Sequence, residues 1–286
     1  MKVSVQTDSF AMLKEGVESE CDRARFGSEF CEWMIPSLEG LKKAYSLVSD
    51  KGKDFIYVTP RVSPSNLEKI QDQLAFLDRQ GKIGVVINDL GILNVLEQYQ
   101  NLKAHLGRQL VYMPARCPWK EITQQPVGFL ARRQVAKIFY QTNLNYIPTI
   151  QLFQKHGISD VDVDWIPESF SYFNFLAKNG LNLSIHMHLV PIAVTRRCHT
   201  ARFLGEKSPE SCSQPCNTQA FLLKHNILRL ELHLYGNAVF RSVKPTKKDA
   251  KKLIKNGASE FIIGMNPITK VATREKVNAL IHSIQP

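Results

Sequence analysis

Short β-branched runs separated by longer amphipathic stretches set the tightest limit on what this chain can fold into. They are KVSVQT at 2–7, DRARFG at 22–27, DFIYVTP at 54–60, IGVVIND at 83–89, VDVDWIP at 161–167, LNLSIHMHL at 181–189 and EFIIGMNP at 260–267. Strands alternating with helical stretches are the pattern of βα units around a parallel sheet. Helices are expected over 37–49, 65–80, 146–156, 168–179 and 247–256; Pro64 and Ser65 mark one start, and Gly81, Gly157 and Gly180 lie just past three ends. An eighth strand is expected within 102–113 or within 135–142. Eight parallel strands in 286 residues match a single α/β domain of the TIM-like (β/α) barrel type, with a doubly wound open sheet as the alternative. Two segments depart from the alternation. Residues 106–135 are polar and proline-punctuated and are expected to form an insertion near the barrel mouth. In LRLELHLYGNAVFRSV, 228–243, Gly236-Asn237 between two alternating runs reads as a hairpin turn.

The first residues lack the apolar core of a secretory signal, and no stretch approaches the length of a membrane span, so the expected location is cytoplasmic. A reducing compartment keeps thiols free and favours metal binding over disulfides. That bears on RRCHTARFLGEKSPESCSQPC, 196–216, which holds three of the six cysteines: Cys198, then Cys212 thirteen intervening residues on, then Cys216 three intervening residues later. The spacing is wider than that of common zinc ribbons and suits an iron–sulfur core, whose ligands converge from several directions. A fourth ligand is needed from Cys21, Cys31, Cys117 or His199. Cys31 follows the second predicted strand closely, so barrel topology brings it to the same mouth as Cys198. Cys21 and Cys117 read as small buried apolar residues. Arg196, Arg197, Arg202 and Lys207 either offset the charge of a thiolate cluster or are exposed loop cations.

Four further groups are candidates for a substrate pocket. His186 and His188 share one strand face and could bind substrate, shuttle a proton or ligate iron, or else be satisfied structural histidines. Asp89 ends the fourth strand, where barrel enzymes place catalytic carboxylates, and could equally cap the next helix. Asp160, Asp162 and Asp164 alternate along VDVDW, so they need water, cations or metal beside them; Asp164 and Glu168 lie nearest the strand end. No H-E-x-x-H, G-x-S-x-G or G-x-x-x-x-G-K-[ST] is present, which removes the standard hydrolase and phosphate-loop signatures. Net charge is +11, and the lysines of 244–256 ring a predicted helix as a solvated face or as a weak RNA-binding surface.

The cysteine stretch resembles that of the collagenase-like peptidase family of unknown catalytic type. The likeness extends through RFGSEFC with Gly27 and Cys31, NDLGILN at 88–94, Pro167-Glu168, and the spacing from Pro191 to Cys198. Most members carry a cysteine where this chain has Pro191. The branch that serves oxygen-independent ubiquinone synthesis also has proline there and takes its fourth ligand from an N-terminal loop, by position Cys31. The resemblance thus implies a TIM-like barrel with a [4Fe–4S] cluster on Cys31, Cys198, Cys212 and Cys216 in a loop after the seventh strand. It also implies oxygen-independent hydroxylation of a small aromatic substrate, beside a related subunit in a heterodimer, and little peptidase activity. The chain departs from the family at Met187-His188 and Thr195-Arg196, where H-G and S-G are usual. Hydroxylation of an RNA base, and a noncatalytic subunit with a structural cluster, are the other two readings.

Overall fold

The computed structural model describes residues 1–118, 128, 131, 134, 138–167, 169–206, 208, 212–227 and 229–285. Eight parallel strands close into a barrel: β1 (Lys2–Thr7), β2 (Arg23–Phe26), β3 (Asp54–Val58), β4 (Ile83–Ile87), β5 (Leu102–Leu106), β6 (Asp160–Asp164), β7 (Asn182–His186) and β12 (Ala258–Gly264). Strand follows strand around the ring in chain order, and β12 closes it between β7 and β1. The register is set by side-chain alternation. Val3, Val5, Ala24, Phe26, Val85, Ile87, Val161 and Val163 point outward into the main core, under the surrounding helices. Their neighbours point inward. One arc of the lumen is apolar, with Ile56, Val58 and Val86, and the other is polar, with Arg25, Asp162, Ser184, His186 and Glu260 joined by hydrogen bonds.

The helices lie close to the expected ranges: α2 (Leu38–Asp50), α3 (Pro64–Asp78), α5 (Ile147–Lys155), α6 (Phe170–Lys178) and α8 (Lys247–Lys255). Gly81, Gly157 and Gly180 follow three of them at positive φ, as glycine stop signals do. Three more have weaker sequence patterns: α1 (Phe10–Val17), α4 (Leu90–Leu96) and α9 (Arg274–Ile284). Among the described residues no helix is long and apolar enough to cross a membrane. The eighth strand lies at the start of 102–113; of the other candidate, 135–142, residues 138–142 are described and form no strand.

Residues 181–189 do not form one strand. The chain leaves the barrel at Met187-His188, and β8 (Leu189–Val194) enters a second sheet with β9 (Phe221–His225), β10 (Leu230–Tyr235) and β11 (Ala238–Ser242), in the order β8-β11-β10-β9. The break follows from competing partners: Met187 N still donates to Ile262 O of β12, whereas His188 O accepts from Val243 N beyond β11. The expected hairpin at Gly236-Asn237 joins β10 and β11, with Gly236 at φ 57°. This antiparallel sheet packs Leu189, Ala238 and Phe240 with Ile268 over the mouth, and Phe30 meets Phe240 edge-on at 5.1 Å between centroids. The segment 198–216 therefore lies between the seventh and eighth barrel strands, held against the barrel by an inserted sheet.

Candidate functional site

Two loops build the cysteine site. The first leaves β2 through Gly27, whose φ of +130° and approach to Val58 O leave no room for a Cβ. Ser28 then fixes Cys31 from both sides: its hydroxyl accepts from Cys31 N at 3.2 Å and donates to Cys31 O at 2.7 Å. Glu32 anchors the turn that follows, its carboxylate accepting from Ser63 N, Ser63 Oγ and Asn66 Nδ2 at 2.6–2.9 Å. The second loop carries Cys198, at the N-cap of the short α7 (His199–Phe203), and Cys212 and Cys216. Gln214 Nε2 donates to Trp33 O at 2.8 Å and ties the two loops together.

Cys31, Cys198, Cys212 and Cys216 line one small cavity with Trp33, Met34, Gln214 and Gly236. Backbone N–H groups already point at two sulfurs: Ala201 N at Cys198 Sγ and Gln214 N at Cys212 Sγ, each at 3.4 Å. Burial, reinforced by the neighbouring cysteines, pushes the Cys31 thiol up to about 11 and Cys216 up to about 12. Cys198 is raised for the same reasons. Cys31, Cys198 and Cys216, which resist ionising beside one another, form with Cys212 the donor set that a cationic core would deprotonate and unite. Among the described residues no group of three or more His, Cys, Asp or Glu side chains is arranged to hold a metal ion. An iron–sulfur core is larger than one ion and takes its thiolates further apart, so the donor chemistry fits a cluster better than a mononuclear site.

The other fourth-ligand candidates do not line this cavity. Cys21 is buried in the main core, its thiol donating to Gly16 O at 3.3 Å. Cys117 follows a turn at Pro114–Arg116, and His199 is exposed at the start of α7. Arg196 lines an adjoining groove with Cys31, Cys198 and Asp89, while Lys207 lies outside the described residues.

A second cavity opens in the barrel mouth and shares Cys31, Met34 and Gly236 with the cysteine cavity. His186 and His188 both line it. His186 Nε2 lies 3.2 Å from Asp162 Oδ2. Burial, with Arg108 and Arg25 nearby, pushes His186 down to about 3, so at neutral pH this contact is a hydrogen bond donated by a neutral imidazole. Burial also takes His188 down to about 4. Asp8, at the end of β1, is raised by burial to about 6 and accepts from Tyr235 Oη at 3.3 Å. Asp89 is elsewhere: it caps α4, accepting from Gly91 N at 2.8 Å and Val62 N at 3.2 Å. Glu168 lies outside the described residues.

The aspartates of VDVDW do meet cations. Arg25 Nη1 reaches both oxygens of Asp162 at 2.9 and 2.7 Å, and its Nη2 donates to Glu260 Oε2 at 3.1 Å. Burial alone would raise Glu260, but Arg25 beside it and the hydroxyls of Ser4 and Ser184 take it down to about 2. Arg108 clamps Glu29 through Nε and Nη2 at 2.6 and 2.9 Å and reaches Asp164 and Leu189 O through Nη1 at 2.8 and 2.6 Å. Arg116 closes the cluster on Asp164 Oδ2 at 2.6 Å. Sequence reasoning asked for cations here but named none of the three arginines. A signal was present: Arg25 and Glu260 are charges inside strands of a parallel barrel, where apolar residues are the rule. Arg108 and Arg116 come from the stretch 106–135, whose first part turns basic side chains into the barrel.

Fold and site together define a TIM-like α/β barrel with a four-cysteine cavity at its mouth. Neither a protein-family model nor a curated protein sequence matches the chain. Among solved structures, a U32 peptidase aligns over 93% of this chain and 93% of its own, at 12% identity and a TM-score of 0.46. Thiamine phosphate pyrophosphorylase from Pyrococcus furiosus aligns over 99% and 97%, at 10% identity and a TM-score of 0.44. (S)-3-O-geranylgeranylglyceryl phosphate synthase from Thermoplasma acidophilum aligns over 99% and 91%, at 12% identity and a TM-score of 0.44. Likeness at this level carries no activity across to this chain.

Proposed function

We propose that the chain holds a [4Fe–4S] cluster on Cys31, Cys198, Cys212 and Cys216, and that it takes part in oxygen-independent hydroxylation of a small aromatic substrate bound in the barrel mouth. The observation that carries this reading is the sharing of Cys31, Met34 and Gly236 between the cysteine cavity and the mouth cavity. The hydroxylation itself, and a related subunit as heterodimer partner, come from the resemblance to UbiV, which works with UbiU in ubiquinone synthesis.

A bound cluster would supply one-electron transfer at the edge of the mouth cavity. The chain's own groups would do the rest. His186 donates through Nε2 to Asp162, which leaves its unprotonated Nδ1 as a hydrogen-bond acceptor. Asp8, titrating at about 6, can hold or release a proton at its carboxylate near neutral pH, with Tyr235 Oη donating to it. Phe30 and Phe240 wall the cavity with apolar surface.

One observation favours hydroxylation of an RNA base instead: α8 presents Lys247, Lys248, Lys251 and Lys255 to solvent on a chain of net charge +11. Deleting the gene and growing the host without oxygen tests both. The leading reading expects a small aromatic precursor one oxygen atom lighter than its product to accumulate, with rescue by the wild-type chain and not by Cys198→Ala. A change confined to RNA nucleosides favours the second reading, and no change in either pool leaves a noncatalytic subunit.

A further inference from the structure

Eight buried side chains among the described residues leave a polar atom without a hydrogen-bond partner, and three of them, Gln6, His188 and Asn237, line the mouth cavity. They come from three separate places: the end of β1, the break after β7, and the β10–β11 turn. Orphaned buried polar atoms are rare and destabilising, so three around one cavity point to something that satisfies them.

Their chemistry is fixed by what their other atoms do. Asn237 Nδ2 donates to Phe30 O at 2.8 Å and to Thr195 O at 2.9 Å. Both partners are carbonyls, so the amide cannot be turned round, and Oδ1 is left as an acceptor without a donor. Gln6 Nε2 donates to Glu29 Oε2 at 2.8 Å, a carboxylate already clamped by Arg108, and Oε1 is left in the same state. His188 contributes its unpartnered Nε2.

Charge narrows the ligand further. Arg108 is the one arginine or lysine lining the cavity, and four of its five N–H donors are spent on Glu29, Asp164 and Leu189 O. Asp8 and Glu29 add negative character, so a carboxylate or phosphate entering here would meet two carboxylates against a single uncommitted N–H of Arg108. Phe30, Met34, Leu189, Phe240 and Met265 supply apolar walls suited to a flat ring.

We infer that Gln6, His188 and Asn237 are the specificity-determining contacts of this cavity, selecting a small neutral ring with at least two O–H or N–H donors over its ethers and over anionic rings. The inference rests on the proposed function only in taking the mouth cavity as the substrate site; it needs no cluster chemistry.

Anaerobic calorimetric titration of the full chain with 4-methylcatechol, its dimethyl ether 3,4-dimethoxytoluene, and 3,4-dihydroxybenzoate tests it. The catechol should bind at least about tenfold tighter than the ether and tighter than the benzoate, since a ligand without donors leaves buried acceptors unpaired. Gln6→Met and Asn237→Leu should each weaken catechol binding by about tenfold and leave the ether unchanged. Equal affinity for catechol and ether, preference for the benzoate, or no binding of the catechol at millimolar concentration overturns the inference, and none of these needs a variant to fold. The same preference in Cys198→Ala, which the growth experiment uses as its negative control, separates failure of this inference from failure of the hydroxylation reading.

Discussion

Arg25 on β2 crosses the barrel to Asp162 on β6, with Nη1 2.7 Å from Oδ2, and the two strands stand opposite each other in the eight-strand ring. Both side chains are almost fully buried, and Glu260 and His186 complete the layer around them. Removing one member of such a pair leaves a charge without compensation. Arg25→Met is therefore expected to lower unfolding free energy in urea by about 3–5 kcal/mol, and adding Asp162→Asn to recover part of that loss. Additive losses would show that the two side chains do not depend on each other.

Gly27 sets the entry of the Cys31 loop. A Cβ there would sit 2.2 Å from Val58 O, at a φ of +130°. Gly27→Ala should cost about 2 kcal/mol or more and displace the loop, reducing iron uptake although every cysteine is intact. Thermal unfolding and iron content, measured on the same preparation, check both halves of this expectation.

Acid should destabilise the fold through its buried histidines. Burial takes His105 on β5 down to about 4 from its ordinary 6.5. Between those values the unfolded chain binds the proton more readily, so the stabilisation is complete above about 6.5 and is lost as pH falls towards 4. A shift of that size corresponds to about 3 kcal/mol. His186 and His188 are depressed in the same direction, so His105→Leu should flatten the slope of stability against pH over this range without abolishing it. Glu260, held at about 2, adds a separate loss that begins below about 4.5 and survives the substitution. An unchanged slope in His105→Leu would contradict the assignment.

The barrel was legible because period-2 runs and glycine stops are local signals, and the closure of strands such as β1 and β4 follows from their count and size. What could not be read was where local pattern and tertiary pairing disagree. Residues 181–189 look like one strand, yet His188 O pairs with Val243 N in another sheet, a choice made by residues more than fifty positions away. The convergence of the four cysteines was foreseeable from topology, because Cys31 leaves β2 at the mouth where Cys198 also lies. The receptor groups were not. Gln6 and Asn237 carry no motif, and their meaning comes from which of their own atoms are already engaged.

Iron and acid-labile sulfide per chain, assayed after anaerobic purification and repeated for alanine replacements of each cysteine, test the central claim most directly. About four of each are expected in the wild type. Both should be lost in Cys31→Ala, Cys198→Ala, Cys212→Ala and Cys216→Ala, and kept in Cys21→Ala and Cys117→Ala. Stoichiometric zinc without sulfide, or full iron content in Cys31→Ala, would contradict it.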